Sequence, residues 1–202
     1  MSKKKKLTGE EALAAAYAEV DHTPLLTALG VDISDEHLCL ALTHRSFANE
    51  NGHLPNNERL EFLGDAVLGL SIAAKLYERY PSRPESDISK MRASIVSRYG
   101  LSDVAREIDL GKHILLGKGE QTTGGRDKDS ILADTTEAIL GAIYRQHGFE
   151  VARTVILNLF AAKIENAVVS GRHMDWKTTL QELCAELKAA MPVYSATSTG
   201  PE

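Results

Sequence analysis

Hydrophobic residues recur through most of the chain at the three- and four-residue spacing of amphipathic helices. Ser, Thr, Asn and Asp stand where such helices can begin, and Gly or Pro stand where they can end. A strand-like pattern occurs only near the C-terminal end, at 193–199. The sequence therefore predicts an all-α domain with helices at about 12–20, 23–29, 35–42, 57–80, 87–96, 101–108, 130–148 and 150–167.

The predicted helix at 57–80 carries carboxylates inside an otherwise apolar run. Glu58, Glu61 and Asp65 follow one another at steps of three and four, so they share a sector about 60° wide. Like charges at this spacing cost about 0.2 to 0.5 kcal/mol per pair, so helix stability does not explain them. Gly64 costs about 1 kcal/mol relative to alanine inside a helix and indicates close approach by another group. A bound cation explains the acids, and a solvated acidic stripe is the alternative.

The predicted helix at 130–148 repeats this arrangement, with Asp134 and Glu137 three residues apart among apolar residues. Together the two helices offer clustered carboxylate oxygens, which Mg²⁺ and Mn²⁺ prefer as ligands. A di-iron or metal-storage bundle is the alternative. It needs a histidine three residues after a glutamate, and neither helix has one. His44, His53 and His113 stand alone without ligand spacing, which favours capping or hydrogen-bonding roles.

Two polar stretches separate the predicted helices. The stretch 117–129 is rich in glycine but matches neither phosphate-loop fingerprint, and helical patterns flank it. We therefore predict a flexible loop that borders a cleft, and a second polar loop at 48–55. The cations of the stretch 117–129 that we expect to reach phosphate groups are Lys118, Arg126 and Lys128.

The composition is that of an ordinary globular protein, with 202 residues, 43% hydrophobic and 25% charged. A net charge of −5 argues against a generally basic nucleic-acid binder and fits an acidic metal site. Cys39 and Cys184 lie far apart in apolar helical patterns, which predicts buried thiols in a reducing compartment. No apolar run reaches the roughly 18 residues that a membrane helix needs, so we expect a cytoplasmic protein without a membrane partner.

Five blocks of sequence resemble the ribonuclease III family of bacterial double-stranded RNA endonucleases, and they follow one another along the chain in the same order as in the family. The strongest is NERLEFLGDAVL at 57–68, which is similar to the family signature almost letter for letter. The others are ALTHRSF at 41–47, PESDISKMRAS at 84–94, LLGKGE at 115–120 and SILADTTEAILGAIY at 130–144. The resemblance implies an all-α endonuclease domain followed by the beginning of an α/β double-stranded RNA-binding domain.

The resemblance assigns roles to six acids, all of which are present here. The family's metal ligands match Glu61, Asp65, Asp134 and Glu137, of which Asp65 and Glu137 are catalytic, and additional cleft acids match Glu58 and Glu85. Family members bind Mg²⁺, which Mn²⁺ can replace, and release 5′-phosphate and 3′-hydroxyl ends. The implied function is metal-dependent cleavage of double-stranded RNA, for processing of rRNA and other transcripts. A catalytically silent RNA-binding or scaffold member of the same fold is the alternative.

The resemblance also implies a homodimer. Phe62 matches a residue that inserts into a pocket of the partner subunit in the family, where the dimer forms a valley for the RNA. Phe62 lies about 40° from Glu58 around the helix, so it shares the carboxylate side, where contact with its own core is awkward. A phenylalanine of its own subunit's core is the alternative.

The pattern and the resemblance together divide the chain into four segments. These are an N-terminal extension with a basic tail and a peripheral helix (1–21), the catalytic domain (22–170), a linker (171–174) and a truncated RNA-binding domain (175–202). In the last segment, Thr178, Gln181 and Glu182 match the family's first RNA-contacting helix. The segment is expected to be incomplete, because the lysine-rich helix of such a domain does not occur before residue 202.

Overall fold

The computed structural model describes residues 9–167 and, beyond them, positions 180, 184, 190 and 192. The chain divides into two units, Met1–Ala167 and Val168–Glu202. The predicted linker and the predicted RNA-contacting residues lie outside the described residues; these are 171–174, Thr178, Gln181 and Glu182.

The first unit is all-helical between residues 9 and 167, as the hydrophobic pattern predicts. The α-helices there are α1 (Glu10–Ala18), α2 (Thr23–Leu29), α3 (Asp35–Leu42), α4 (Arg45–Glu50), α5 (Glu58–Arg79), α6 (Glu85–Ile95), α7 (Arg98–Glu107), α8 (Lys118–Thr122), α9 (Asp129–His147), α10 (Phe149–Leu159) and α11 (Ala161–Asn166). Two 3₁₀ turns lie at Leu110–His113 and Gly125–Asp127. Among the described residues, the only β pairing is an isolated parallel bridge between Thr43 and Leu115.

Both predicted loops contain short helices, so their prediction as loops was wrong. The region 48–55 overlaps α4, which His44 caps by accepting a hydrogen bond from the Ser46 amide at 3.2 Å. The region 117–129 contains α8 and a 3₁₀ turn, and Arg126 ties that turn to the segment 111–114. These stretches are held in place by hydrogen bonds to segments that are distant in the sequence. Local composition does not reveal such hydrogen bonds.

The helix predicted at 150–167 is broken into α10 and α11 at Phe160. The ring of Phe160 is fully buried, and its backbone leaves the helical conformation at this point. Helix α7 begins earlier than predicted because Ser97 caps it, accepting a hydrogen bond from the Gly100 amide at 3.1 Å. Tertiary packing and a cap therefore decide these two boundaries.

Helices α5 and α9 pack along each other at the centre of the unit. Their backbones meet at two glycines. A Cβ on Gly64 would lie 1.8 Å from the Glu137 carbonyl oxygen, and one on Gly141 would lie 2.2 Å from the Leu60 carbonyl oxygen. The close approach that Gly64 indicates in the sequence is therefore made by the backbone of α9.

The segment between α3 and α5 is joined to the segment before α8 by backbone hydrogen bonds. Leu115 N donates to Leu42 O at 2.9 Å, and His44 N donates to Leu115 O at 3.1 Å. Asn57, the residue before α5, donates its backbone N–H to Thr43 O at 3.0 Å. These contacts fix the starts of α4 and α5 relative to each other.

The lone histidines have hydrogen-bonding roles, as predicted. His113 is fully buried, and its Nδ1 lies 3.0 Å from Nδ1 of His22, on which Tyr17 stacks. His53 contacts Asn49 Oδ1 at 3.3 Å. Helix α1, which carries Tyr17, has no buried residue and is peripheral.

The cysteines are free but only half-buried, so the prediction of buried thiols was wrong. The buried face of α3 is formed by Leu38, Ala41 and Leu42, and Cys39 lies beside that face. No helix in the described part of the chain is both long and apolar enough to cross a membrane.

Candidate metal centre

Glu61 of α5 lies together with Asp134 and Glu137 of α9 where the two helices pack. One carboxylate oxygen of each lies within 4.8 Å of the others, which is close enough for all three to hold one metal ion. The glycine contact explains this arrangement, because Gly64 follows Glu61 by one turn and touches the backbone of Glu137. Two helices that were separate in the sequence thus form one site.

Glu137 is the acid that this environment affects most strongly. Burial, followed by the negative charges of Asp65, Glu61 and Asp134, raises the pKa of Glu137 to about 8. Burial penalises the charged carboxylate, and the neighbouring carboxylates repel it. A cation between the oxygens would relieve both effects.

Glu61 and Asp134 also have raised pKa values. Burial raises the pKa of Asp134, against the opposing positive charges of Arg98, His44 and Arg45. Burial and then the charge of Asp134 raise the pKa of Glu61, and Arg45 again acts in the opposite direction. The cluster is therefore an acidic site with basic side chains close enough to influence it.

Asp65 lies beside the three-acid cluster rather than within it. It is exposed on α5, one turn after Glu61, and its negative charge contributes to the raised pKa of Glu137. It also lines a groove of about 540 Å³ formed by residues of α5 and α6. The structure thus brings together three of the four predicted metal ligands and leaves the fourth, Asp65, at the exposed rim of the acid cluster.

The two additional predicted acids lie at the starts of helices. Glu58 begins α5, accepts a hydrogen bond from Asn56 Nδ2 at 3.1 Å and lies 3.8 Å from Arg45. Glu85 begins α6 and accepts a hydrogen bond from the Ser89 hydroxyl in the same helix. Neither belongs to the three-acid cluster, and their roles as cleft acids stay predictions.

Phe62 points away from the core of its own unit, with 81% of its surface exposed. Leu70 and Tyr77 are also exposed, and with Phe62 they form one apolar stripe along α5. The groove beside this stripe is lined by Asp65, Ala66, Gly69, Leu70, Arg92, Ala93 and Val96. The alternative of a phenylalanine in its own subunit's core is wrong.

Two of the cations expected to contact phosphate are engaged inside the protein. Arg126 Nη1 donates to three carbonyl oxygens of the segment 111–114 at 2.8 to 3.1 Å. Lys128 Nζ donates to Glu120 Oε2 at 2.7 Å and to Thr123 Oγ1 at 2.9 Å. These hydrogen bonds give both residues a structural role, and their contact with phosphate stays a prediction.

Sequence reasoning missed Gly141, Arg45 and Arg98. For Gly141 a signal was available, because each acid-bearing helix has a glycine one turn after a glutamate of the cluster. For the two arginines the sequence carries no spacing signal. Only the fold brings them near Asp134.

Comparison with solved structures identifies the class of this fold. The nuclease domain of ribonuclease III from Campylobacter jejuni, which shows structural flexibility in a region involved in dimer formation, superposes on this chain with a TM-score of 0.67. The two sequences are 40% identical, and the match covers 71% of this chain and 98% of the Campylobacter jejuni domain. The first unit is therefore a helical nuclease domain.

Sequence comparison then gives the family. The family model described as Ribonuclease-III-like matches residues 34–164, which include all six predicted acids. Ribonuclease 3 of Corynebacterium glutamicum is 74% identical over 200 residues, covering 99% of this chain and 81% of the relative. Ribonuclease 3 of Corynebacterium diphtheriae is 70% identical, covering 99% and 80%. The chain belongs to the ribonuclease III family, and it is an enzyme of that family.

Proposed function

We propose that this ribonuclease cuts double-stranded RNA by divalent-metal catalysis and leaves 5′-phosphate and 3′-hydroxyl ends. The observation that carries this proposal is the contact of Glu61, Asp134 and Glu137, whose oxygens lie within 4.8 Å of one another. All three acids have raised pKa values, so the folded chain holds their charges at a cost in free energy. Such a cluster does not stabilise the fold, but it suits a cation.

The residues present fit a hard divalent ion. Carboxylate oxygens alone favour Mg²⁺, with Mn²⁺ as a substitute, over metals that prefer sulfur or imidazole. Glu61, Asp134 and Glu137 would hold the ion, and Asp65 would reach it from the rim. When bound, such an ion neutralises charge on a phosphodiester and lowers the pKa of water.

Asp65 and Glu137 are the proposed catalytic pair, and they lie in different environments. Glu137 is half-buried, and the contact of its backbone with Gly64 fixes the position from which its side chain extends. Asp65 is exposed at the rim, where it can accept hydrogen bonds from water that enters with the substrate. We keep Glu58 and Glu85 as additional cleft acids, because Glu58 precedes Glu61 by one turn and Glu85 begins the helix α6.

We further propose a homodimer built on the apolar stripe of α5. Phe62, Leu70 and Tyr77 expose 81%, 58% and 74% of their surfaces, and burying a large apolar side chain is worth about 1.5 to 3 kcal/mol. A two-fold interface presents the same patch from both subunits, so Phe62 of each could enter the α5–α6 groove of the other. The RNA would lie across both sites, each cutting one strand.

The remaining parts of the proposal rest on the family alone. They are the processing of rRNA and other transcripts in the cytoplasm, and RNA contacts by Thr178, Gln181 and Glu182. Double-stranded RNA is recognised mainly by its shape and its 2′-hydroxyls, so the choice of transcript does not follow from base-reading residues.

The test uses three labelled substrates, which are duplex RNA, duplex DNA and single-stranded RNA. We expect the full chain to cut only the duplex RNA, only when Mg²⁺ is present and not in EDTA. Glu137→Gln should lower the rate by orders of magnitude, whereas Glu165→Gln, the same change at an exposed position of α11, should leave it unchanged. Cleavage in EDTA would contradict the metal proposal. If the chain binds duplex RNA but cuts it in neither Mg²⁺ nor Mn²⁺, the alternative of a catalytically silent RNA-binding protein is supported.

A further inference from the structure

We propose that Arg45 and Arg98 bind phosphates of the RNA backbone beside the acid cluster and so position the duplex over it. Arg45 begins α4 and Arg98 begins α7, so the two guanidinium groups come from different elements. This inference rests on the proposed function and adds the residues that hold the substrate.

An acidic cleft cannot attract RNA by itself, because its carboxylates repel the phosphates that it must receive. Positive side chains close to the cluster are needed to compensate, and a guanidinium group is suited because its planar fork binds phosphate oxygens in pairs. Arg45 lies 3.8 Å from Glu58, which precedes Glu61 of the cluster by one turn of α5. Arg98 begins α7, and α7 packs against α9, the helix that carries Asp134 and Glu137. The two arginines therefore come from elements that border the acid cluster on different sides.

Arg45 is held in place by its backbone, while its side chain stays exposed. The preceding residue, His44, is bonded through its N–H to Leu115 O at 3.1 Å, and its Nδ1 accepts from the Ser46 amide. The Arg45 side chain is 68% exposed, and its one ion pair among the described residues is with Glu58 at 3.8 Å. That separation exceeds a hydrogen bond, so the guanidinium keeps its donors for a ligand.

Arg98, on α7, is likewise exposed and able to bind a ligand. It is exposed at the first position of α7, a helix that packs against α9, which carries Asp134. Within the described part of the chain, Arg98 has no ion pair at 4 Å or less, although its charge also acts on Asp129. The nearby Arg106 is different, because it is bonded to Asp127 and Asp129 at 2.8 and 2.7 Å.

The experiment measures binding of a fluorescent duplex RNA to the full chain in EDTA, at several salt concentrations. We expect Arg45→Ala and Arg98→Ala each to weaken binding several-fold and to lower the slope of log K against log salt by about 0.7 to 0.9, the contribution of one phosphate contact. Lysine at either position should restore part of the affinity but not the paired contact. Arg145→Ala, an equal loss of charge at an exposed site near the C-terminal end of α9, should leave the slope unchanged.

The outcomes separate this inference from the proposed function. If the wild-type chain neither binds nor cuts duplex RNA, the proposed function fails. If it does both, and the two alanine variants keep wild-type affinity and slope, the inference is overturned. A raised Mg²⁺ requirement with unchanged RNA binding would likewise overturn it, since the arginines would then act only on the acids. Circular dichroism and the lysine variants show whether a loss comes from misfolding.

Discussion

Gly64 lies directly against the backbone of Glu137, so that a Cβ on Gly64 would stand 1.8 Å from the Glu137 carbonyl oxygen. This contact sets the separation of α5 and α9, and through it the separation of the carboxylates that those helices carry. Because glycine has no Cβ, position 64 allows the close approach of the two helices that brings the acids together.

Replacing Gly64 by alanine should push α5 and α9 apart. We expect Gly64→Ala to lower the free energy of unfolding by about 3 kcal/mol or more, because the obstacle is backbone and cannot rotate away. Gly119→Ala is the matched control, since nothing lies within 4 Å of its Cβ position in α8. Urea unfolding measures both. Similar stabilities for the two variants would show that the helices can separate freely.

The metal-free protein should lose stability as the pH rises, through Glu137. Its pKa in the folded state is about 8, raised from an ordinary value of 4.5. The unfolded chain therefore releases this proton first, and the stabilisation present below pH 4.5 is lost as pH rises to about 8. We expect Glu137→Gln to melt at a higher temperature than wild type in EDTA, by a margin that grows from pH 5 to pH 8. A margin independent of pH would contradict this.

Divalent metal should stabilise the wild-type fold by occupying the cluster. A ligand at about 100 times its dissociation constant adds about 2.7 kcal/mol, which is visible as a rise in melting temperature. We expect Asp134→Asn to abolish most of this rise and Asp65→Asn to reduce it less. Of these two residues, Asp134 belongs to the three-acid cluster and Asp65 does not. Both should reduce cleavage. An equal rise in all three proteins would place the metal elsewhere.

Removing the Phe62 ring should weaken the proposed dimer. Truncating a large buried aromatic to alanine costs about 3 to 5 kcal/mol, so Phe62→Ala should dissociate at concentrations where wild type is dimeric. Sedimentation velocity at micromolar protein measures this. The control is Tyr99→Ala, which removes an exposed aromatic from α7. A wild-type chain that sediments as a monomer would refute the dimer outright.

Arg126 should prove structural rather than RNA-binding. Its Nη1 is bonded to three carbonyl oxygens of the segment 111–114, and we expect Arg126→Ala to cost about 2 kcal/mol of stability. The salt slope of RNA binding should stay that of wild type, in contrast to the Arg45 and Arg98 variants. Thermal melts and binding of the same preparation decide between the two roles.

The sequence was most informative where a signal is local and repeated. Helix α5 was predicted to within a residue or two, because its apolar pattern is long and Pro81 follows it. The acids on α5 and α9 were recognisable because charge at helical spacing inside an apolar run is unusual. The identity of the group that approaches Gly64 was not predictable, since it depends on how two distant helices cross.

The sequence was least informative where contacts join segments that are distant in the chain. Arg126 has the chemistry of a phosphate ligand, and only the fold shows that backbone carbonyls occupy it. Asp65 and Glu61 look equivalent on a helical wheel, yet only Glu61 meets the acids of α9. Helix α4 has six residues and depends on the bridge at Leu115, so no periodic pattern could reveal it.

The position of the acid-bearing helices along the chain also determines when the acid cluster can form during synthesis. Glu61 is on α5 and its partners are on α9, with α6, α7 and α8 between them. Local helices form rapidly, whereas contacts between distant segments must wait until both have been made and brought together. A chain that has emerged from the ribosome only as far as α8 already carries Glu61 and Asp65 but lacks Asp134 and Glu137. The acid cluster can therefore form only after α9 has been added and has docked on α5.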